Sequence, residues 1–256
     1  MHAHARIEVA RDERSGCTRI IRLRSDPPLV LRPTHVEGPR LPEGWNLSGP
    51  TTARVSLVAG AAGPLGGDHL QLDLVVGPGA TLVVRGVAAS LLLPGAHGEP
   101  SSNETTLRVA EGGTLVWLPQ QLIAAHGCDH TASTRVTLEA GARLLAREEA
   151  LFGRHGEEPG RLRQHLRVTL AGQPLLDQEL SVGPRAPGWD GPAVTGGHHA
   201  QGSLLAVDPA RQSCEAMDAP ASCPDVAVLR LAGPAVLVTA LAPDAHTLRR
   251  HLDFAL

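Results

Sequence analysis

Residues 63–85 read GPLGGDHLQLDLVVGPGATLVVR: a glycine-rich turn, an acidic residue and two apolar segments. Leucines alternate with polar residues between positions 70 and 74, which predicts a β-strand with one buried face. Glycine and proline at 77–79 end this strand. Apolar residues return at 81–84, so we predict a second strand, joined to the first by a hairpin-type connection. This stretch predicts an all-β fold.

The acidic residue in this stretch, Asp68, directly follows Gly66 and Gly67. Glycine permits a positive φ or a close approach of another backbone, so the turn holds the Asp68 carboxylate in one place at the start of the strand. One interpretation is an aspartate that only caps its own turn, as most turn aspartates do. The other is a functional carboxylate.

A short pattern recurs further along the chain. Glycine, one or two small or polar residues and a leucine end at Leu82, Leu115 and Leu144, spaced by 33 and then 29 residues. The repeat is loose, and each unit buries its apolar face only if the next unit stacks on it. We therefore predict one domain over residues 1–256, built from stacked, irregular β-helix-like sheets.

Alternating segments predict further strands at 6–10, 18–24, 54–58, 164–170, 175–182, 203–207, 226–231 and 235–241. Residues 31–50 are rich in proline and glycine without a period, which predicts a long surface connection or a partner-binding loop. Residues 144–152 fit either a short helix or a strand. We favour a strand that ends in a turn at Gly153. Residues 243–256 carry apolar residues at helical spacing and predict a C-terminal helix.

Composition argues against several functions. The formal net charge is −3, without a dense basic cluster, so we do not expect nucleic-acid binding. No apolar run is long enough for a membrane span and no signal peptide is visible, so we expect a cytoplasmic protein with no membrane association. Four cysteines without zinc-site spacing agree with a reducing compartment. No nucleophile elbow, P-loop, dinucleotide fingerprint or HExxH is present, so we do not expect an enzyme.

Three motifs, taken in order, resemble those of the UreD (UreH) family of urease accessory proteins. They are GPLGGDHLQLDLVVGPGATL at 63–82, VWLPQQLI at 116–123 and ARLLAREEALFGRHGEE at 142–158. The resemblance implies a non-catalytic scaffold that inserts nickel into apo-urease. It implies a hetero-oligomer with UreF and, through UreF, the GTPase UreG, and no tightly bound cofactor but Ni²⁺ in transit through an internal passage. Besides Asp68, the residues we assign to the family pattern are Gly66, Gly67, Ser90, Trp117, Pro119, Gln120, Gly153, Arg154 and Glu157.

Carboxylates suit such a passage because several weak oxygen ligands pass a cation on without trapping it. Our candidates for its walls are Asp68, Glu139, Glu148, Asp177 and Glu179. The alternative for the charged segment at 148–158 is a solvated turn with surface pairs of arginine and glutamate, worth under ~1 kcal/mol.

Histidine and cysteine are the other usual nickel ligands. The chain has 13 histidines. The local clusters are His2 with His4, His126 with Cys128 and His130, His198 with His199, and Cys214 with Cys223. None has the spacing of a known site. We interpret residues 126–130 as an ordinary surface loop, and we expect free Ni²⁺ to bind weakly.

Two other functions stay open: a carboxylate-dependent hydrolase on a β-helical fold, and a structural interaction module without a metal role. A hydrolase would pair carboxylates such as Asp68 and Asp73. Their odd separation counts against this pair if both lie in a strand, because they then face opposite sides. Aromatic residues make up only 2% of the chain, so we expect a core of leucine, valine and alanine that a partner helps to stabilise.

Overall fold

The computed structural model describes residues 1–34, Trp45, Leu47, 49–209 and 223–254. Within these residues the chain forms β1 (His2–Arg11), β2 (Thr18–Arg24), β3 (Leu29–Pro33), β4 (Thr52–Ala59), β5 (His69–Val76), β6 (Thr81–Gly86), β7 (Ser90–Leu92), β8 (Ser101–Val109), β9 (Thr114–Leu118), β10 (Leu122–Ala124), β11 (Asp129–Leu138), β12 (Arg143–Phe152), β13 (Arg161–Leu170), β14 (Gln173–Val182), β15 (Ala200–Val207), β16 (Val226–Arg230), β17 (Ala235–Ala242) and α1 (Ala245–Phe254).

The strands form two stacked sheets. The first sheet has the order β14-β13-β11-β8-β5-β1-β2, and the second has the order β16-β17-β15-β12-β9-β6-β4-β3, with β10 paired to β12 and β7 paired to β10. The central strands are parallel in both sheets. The predicted all-β class with stacked β-helix-like sheets and a C-terminal helix is confirmed.

Successive strands from β5 to β13 alternate between the two sheets, apart from the short β7 and β10, so each coil of the chain adds one strand to each sheet. In the second sheet, Leu82 pairs with Leu115 and Leu115 pairs with Leu144. The three leucines of the predicted loose repeat therefore stack in register on the inner face, where each coil covers the apolar side of the next.

The hairpin prediction for residues 70–84 is wrong, although both strands exist. β5 pairs with β1 and β8, whereas β6 pairs with β4 and β9 in the other sheet. The Gly-Pro-Gly turn is bound to its neighbours instead, since Gly77 donates to Val9 O and Gly79 to Glu111 O. It carries the chain across the gap between the sheets.

Most other predicted strands are confirmed, including the strand at 143–152. One part of the loop prediction for residues 31–50 is wrong, because residues 31–33 belong to β3, which pairs with β4. Of the rest, Trp45 is buried, and residues 35–44, 46 and 48 lie outside the described part of the chain. In the described part, no helix is long and apolar enough to cross a bilayer.

Two apolar clusters fill the space between the sheets at opposite ends of the strands. The larger, core cluster A, includes Leu74, Leu82, Leu107, Leu115 and Leu144. The smaller, core cluster B, includes Leu92, Phe152, Leu162 and Val182. A third cluster lies outside the second sheet, where Leu248 and Leu252 of α1 pack on Val116, Leu145 and Leu204.

Candidate functional site

A cavity of about 130 Å³ lies between the sheets, next to a break in their apolar pattern. The first sheet contributes Asn103 from β8, Thr134 from β11 and Gln164 from β13, and the second contributes Glu148 from β12. Each occupies an inward position of its strand, where the alternation would otherwise place an apolar residue. The volume is ample for several water molecules. The protein therefore has a cavity between its sheets, the chamber, in which these polar side chains face a largely apolar lining that includes Leu70, Leu72 and Leu122.

Glu148 is the carboxylate that points into this cavity from β12. Gln164 Nε2 donates to Glu148 Oε2 at 3.1 Å. Burial raises the pKa of Glu148, and hydrogen bonds from Thr134 and Gln164 offset only part of that rise. Its described partners are thus neutral groups, which satisfy the oxygens without balancing the charge. A divalent cation in the cavity would supply that balance.

Two other polar atoms of the cavity wall, Asn103 Oδ1 and Trp117 Nε1, are buried and have no hydrogen-bond partner among the described residues. Buried polar atoms in proteins are normally hydrogen-bonded. Asn103 Oδ1 is an acceptor that suits water or a hydrated cation. In the described ranges, no group of three or more His, Cys, Asp or Glu is arranged to hold a metal ion. Glu148 is the acidic side chain on the inward face of the cavity wall, while Glu104 and Glu149 border the cavity from outward positions of their strands.

Part of the wall on the side of the second sheet comes from the motif at 116–123. Trp117, Pro119 and Gln120 line the cavity together with Ser90, which precedes them by one coil. A family model described as UreD urease accessory protein matches residues 1–256. The chain belongs to the UreD family of urease accessory proteins.

Curated relatives agree with this assignment over nearly their whole length. A urease accessory protein UreD of Streptomyces avermitilis is 47% identical over 257 residues, covering 100% of this chain and 96% of the relative. The proteins of the same name from Streptomyces coelicolor and Frankia alni are 45% and 46% identical, and the alignments cover 100% and 98% of this chain and 96% and 91% of the relatives. The family membership that the resemblance predicted is thereby confirmed.

In this UreD-family chain the two glycines before Asp68 have backbone roles. Gly67 has a φ of +86°, and a Cβ on Gly66 would overlap the backbone of Gly95 and Glu99. Asp68 Oδ2 accepts from Leu65 N at 2.9 Å, and Oδ1 lies 2.8 Å from the Met1 ammonium. Burial raises the pKa of Asp68, but these contacts outweigh burial and leave it below the usual value. Asp68 is buried at the turn and does not line the cavity.

Of the five predicted carboxylates, only Glu148 lines the cavity. Glu139 is exposed beyond β11 and accepts from Glu111 N at 2.9 Å. Asp177 and Glu179 lie on the outer face of the first sheet, paired with arginines 167 and 163 respectively. The structure does not bring the five together, and a role for the outlying four stays a prediction.

The last motif ends in a surface turn. Gly153 has a φ of +87°, and Arg154 binds Glu157 through Nε at 2.7 Å and Nη2 at 2.6 Å. The hydrogen bonds from Arg154 lower the pKa of Glu157 to about 2. This geometry is the solvated pair that the alternative interpretation of the segment describes.

The surface-loop prediction for residues 126–130 is wrong for two of them. Cys128 and His130 are buried, and His130 begins the inner face of β11 with Nδ1 2.8 Å from Ser101 Oγ. Burial raises the pKa of the Cys128 thiol to about 11 and lowers that of His130 to about 4. The protonated thiol of Cys128 is a poor metal ligand near neutral pH.

The remaining histidines and cysteines are dispersed. His4 Nε2 lies 2.9 Å from Asp73 Oδ2, and His2 stacks on His69. His198 Nε2 is 3.3 Å from an oxygen of Asp225. Cys223 Sγ is 3.8 Å from His251 Nε2, and Cys214 lies outside the described residues.

Sequence reasoning missed Asn103, Thr134 and Gln164. Gln164 carries a readable signal, since it stands between Leu162 and Leu166 on the face of β13 that is otherwise apolar. A polar residue at an inward position marks a polar interior, whatever the family.

Proposed function

We propose that this UreD-family protein is a non-catalytic scaffold that passes Ni²⁺ through the cavity between its sheets during urease maturation. Membership of a family of urease accessory proteins supports a role in urease maturation. The observation that supports the nickel route is Glu148, a half-buried, inward-facing carboxylate whose described partners are neutral groups in the cavity wall.

The chemistry of the chamber favours transit over storage. The inward carboxylate of Glu148, with Gln164 and Thr134 as partners, attracts a divalent cation, but it does not chelate the ion as several cysteine and histidine ligands would. A conducting site must bind well enough to admit the ion and weakly enough to release it. Nickel is thus a cargo of this protein and not a resident cofactor.

The proposal includes a hetero-oligomer with UreF, with UreG through UreF, and with apo-urease. The family resemblance supports these partners, and the scaffold itself carries no activity in this account. The cytoplasm is the compartment we propose, in keeping with the free thiols of Cys17, Cys128 and Cys223.

The hydrolase alternative finds no support in the pair it would use. Asp73 points outward from β5 and lies beside His4, whereas Asp68 is held in the turn before the strand. The other alternative is a structural module without a metal role. Only an experiment can distinguish it from the nickel-transfer scaffold.

The test is urease maturation at limiting nickel with Glu148→Gln, which removes the charge and keeps a side chain of similar shape. The matched control is Glu139→Gln, the same change at an exposed position outside the cavity. We expect nickel per urease active site to fall several-fold for Glu148→Gln only, at equal amounts of assembled complex. Equal nickel with both variants would remove the cavity from the transfer route.

A further inference from the structure

The second sheet has a break in its hydrogen-bond ladder beside the chamber. β12 pairs with β9 from Arg143 to Ala146 and with β10 from Ala150 to Phe152. On the side of β12 that faces β9 and β10, residues 147–149 have no strand partner. The structure describes this stretch completely. Glu148 and Glu149 therefore lie at a gap inside a sheet, not at its edge.

The gap extends to the next coil. β6 pairs with β9 as far as Arg85, and β7 pairs with β10 only from Ser90. Pro119 lies between β9 and β10 and has no N–H to give to a ladder. Gly86 and Gln120 both line the cavity, and they meet where the ladder is interrupted, because Gln120 Nε2 donates to Gly86 O at 3.2 Å. The chamber thus reaches the break in the sheet.

Helix α1 places one side chain over this break from the outside. Arg249 Nε lies 2.6 Å from Glu149 Oε1, its Nη2 binds Glu149 Oε2, and the same Nη2 lies 3.2 Å from Gln120 Oε1. The Glu149 side chain is only 3% exposed. Gln120 and Glu149 both border the cavity, so Arg249 bridges two residues of its wall.

Several contacts hold α1 on the sheet, including Arg147 with Asp253 at 3.5 Å and His251 Nδ1 with Leu241 O at 3.2 Å. Leu248 and Leu252 pack against Gly202 of β15, where an added Cβ would lie 2.8 Å from Leu252 Cδ1. The helix has 10 residues, and isolated helices of this length are marginal in water. Docking on the sheet and the pair with Glu149 therefore hold Arg249 in place.

We propose that the break is a side opening of the cavity and that Arg249, carried by α1, holds it closed. A guanidinium keeps its charge at every physiological pH. At the opening it neutralises Glu149 and repels a divalent cation. Movement of α1 off the sheet takes Arg249 away, leaves Arg147 beside Glu149 and opens a path past the oxygen atoms of Glu149 and Gln120. The identity of the cation rests on the proposed function, but the opening is a property of the fold.

The test measures access to the chamber. A cysteine reporter replaces Ala132, a cavity-lining residue, in the full chain with its four native cysteines changed to alanine. Its labelling by a small charged thiol reagent is timed. We expect Arg249→Gln to raise the rate by roughly tenfold or more through local opening. Arg250→Gln removes the same charge from an exposed position of the same helix and leaves the rate unchanged. Equal rates in the two variants overturn the proposal.

Two further variants distinguish opening of the cavity from general loosening of the fold. Glu149→Gln breaks the pair from the sheet side and raises the labelling rate like Arg249→Gln. A second reporter replaces Ala80, which is fully buried in core cluster A and does not line the cavity. A rate that rises equally at positions 80 and 132 reveals general loosening and overturns the gate.

Nickel delivery separates this inference from the proposed function. Faster labelling with unchanged nickel in urease keeps the side opening and removes the nickel route. Changed nickel with unchanged labelling overturns the opening and leaves the nickel route in place. Faster labelling with altered nickel supports both.

Discussion

Glu148 and Glu149 are neighbours in sequence, but they lie on opposite faces of the second sheet. Glu148 points inward, where Gln164 and Thr134 satisfy its oxygens and burial raises its pKa. Glu149 points outward, where Arg249 and Arg147 supply positive charge. The period of two in a strand separates them. A carboxylate without a cationic partner faces the chamber, while one with such partners anchors a helix.

We expect the largest loss of stability when the ion pair between Glu149 and Arg249 is broken. Glu149→Gln leaves Arg249 and Arg147 beside each other on a mostly buried surface. Loss of one partner of a buried pair costs about 3 kcal/mol of unfolding free energy, the low end of the known range because the Arg249 side chain is 29% exposed. Urea denaturation measures it. A loss no greater than that for Glu148→Gln would remove the contrast between the two residues.

His130 is a buried basic residue, and like Glu148 it has a pKa that burial shifts toward the neutral form. Its folded pKa is about 4 against an ordinary 6.5, so the folded protein disfavours the proton that the unfolded chain takes up. Its contribution to stability is complete above about pH 6.5 and is lost as pH falls toward 4. From pH 7 to 5 we expect it to cost the wild type about 2 kcal/mol.

The pH series is run beside His130→Asn, which cannot titrate in this range and loses less stability over the same interval. Parallel curves for the two proteins would show that His130 is not the buried base we describe.

Asp68 belongs with Glu149 in this comparison, because charged or polar donors satisfy it. Asp68→Asn keeps an acceptor for Leu65 N but gives up the ion pair with the half-exposed Met1 ammonium, so it should cost less than ~1 kcal/mol. Asp68→Ala loses that hydrogen bond and should cost about 1 kcal/mol. Thermal unfolding of both variants decides the point, and a large loss in Asp68→Asn would show that the charge itself holds the turn.

The smallest effect, and one of opposite sign, is expected at Glu148. Its raised pKa means that folding penalises the charged form. The penalty is complete above the folded pKa and vanishes below the ordinary value of about 4.5. Glu148→Gln should therefore be as stable as the wild type at pH 7 or slightly more so, and the difference should shrink as pH falls. A variant that is less stable at pH 7 would contradict the unbalanced charge.

The same alternation explains how much the sequence reveals. Apolar residues at period two predicted most strands, and the leucine repeat predicted their stacking. β8 was not predicted because its inward residues, Ser101, Asn103 and Thr105, are polar, and the usual strand signal fails where the cavity lies. The hairpin error has a related cause, since a Gly-Pro-Gly turn looks the same whether the next strand returns to the same sheet or crosses to the other.

The site was only partly predictable. Glu148 came from a charged motif, but nothing in that motif distinguishes it from Glu157, whose partner is a surface arginine. The contact between Arg249 and Glu149 joins residues one hundred positions apart. No local pattern encodes such a contact, because it depends on how α1 docks across the finished sheet.

The central claim is that nickel travels through the chamber between the sheets, and blocking that chamber tests it most directly. Ala132→Phe introduces a ring into the cavity without removing Glu148 or any hydrogen bond. The measurement is nickel per active site in urease matured at limiting metal, at equal amounts of complex with UreF. We predict a several-fold loss of nickel with the complex still assembled. Full nickel loading with a structurally confirmed, filled cavity would contradict the account.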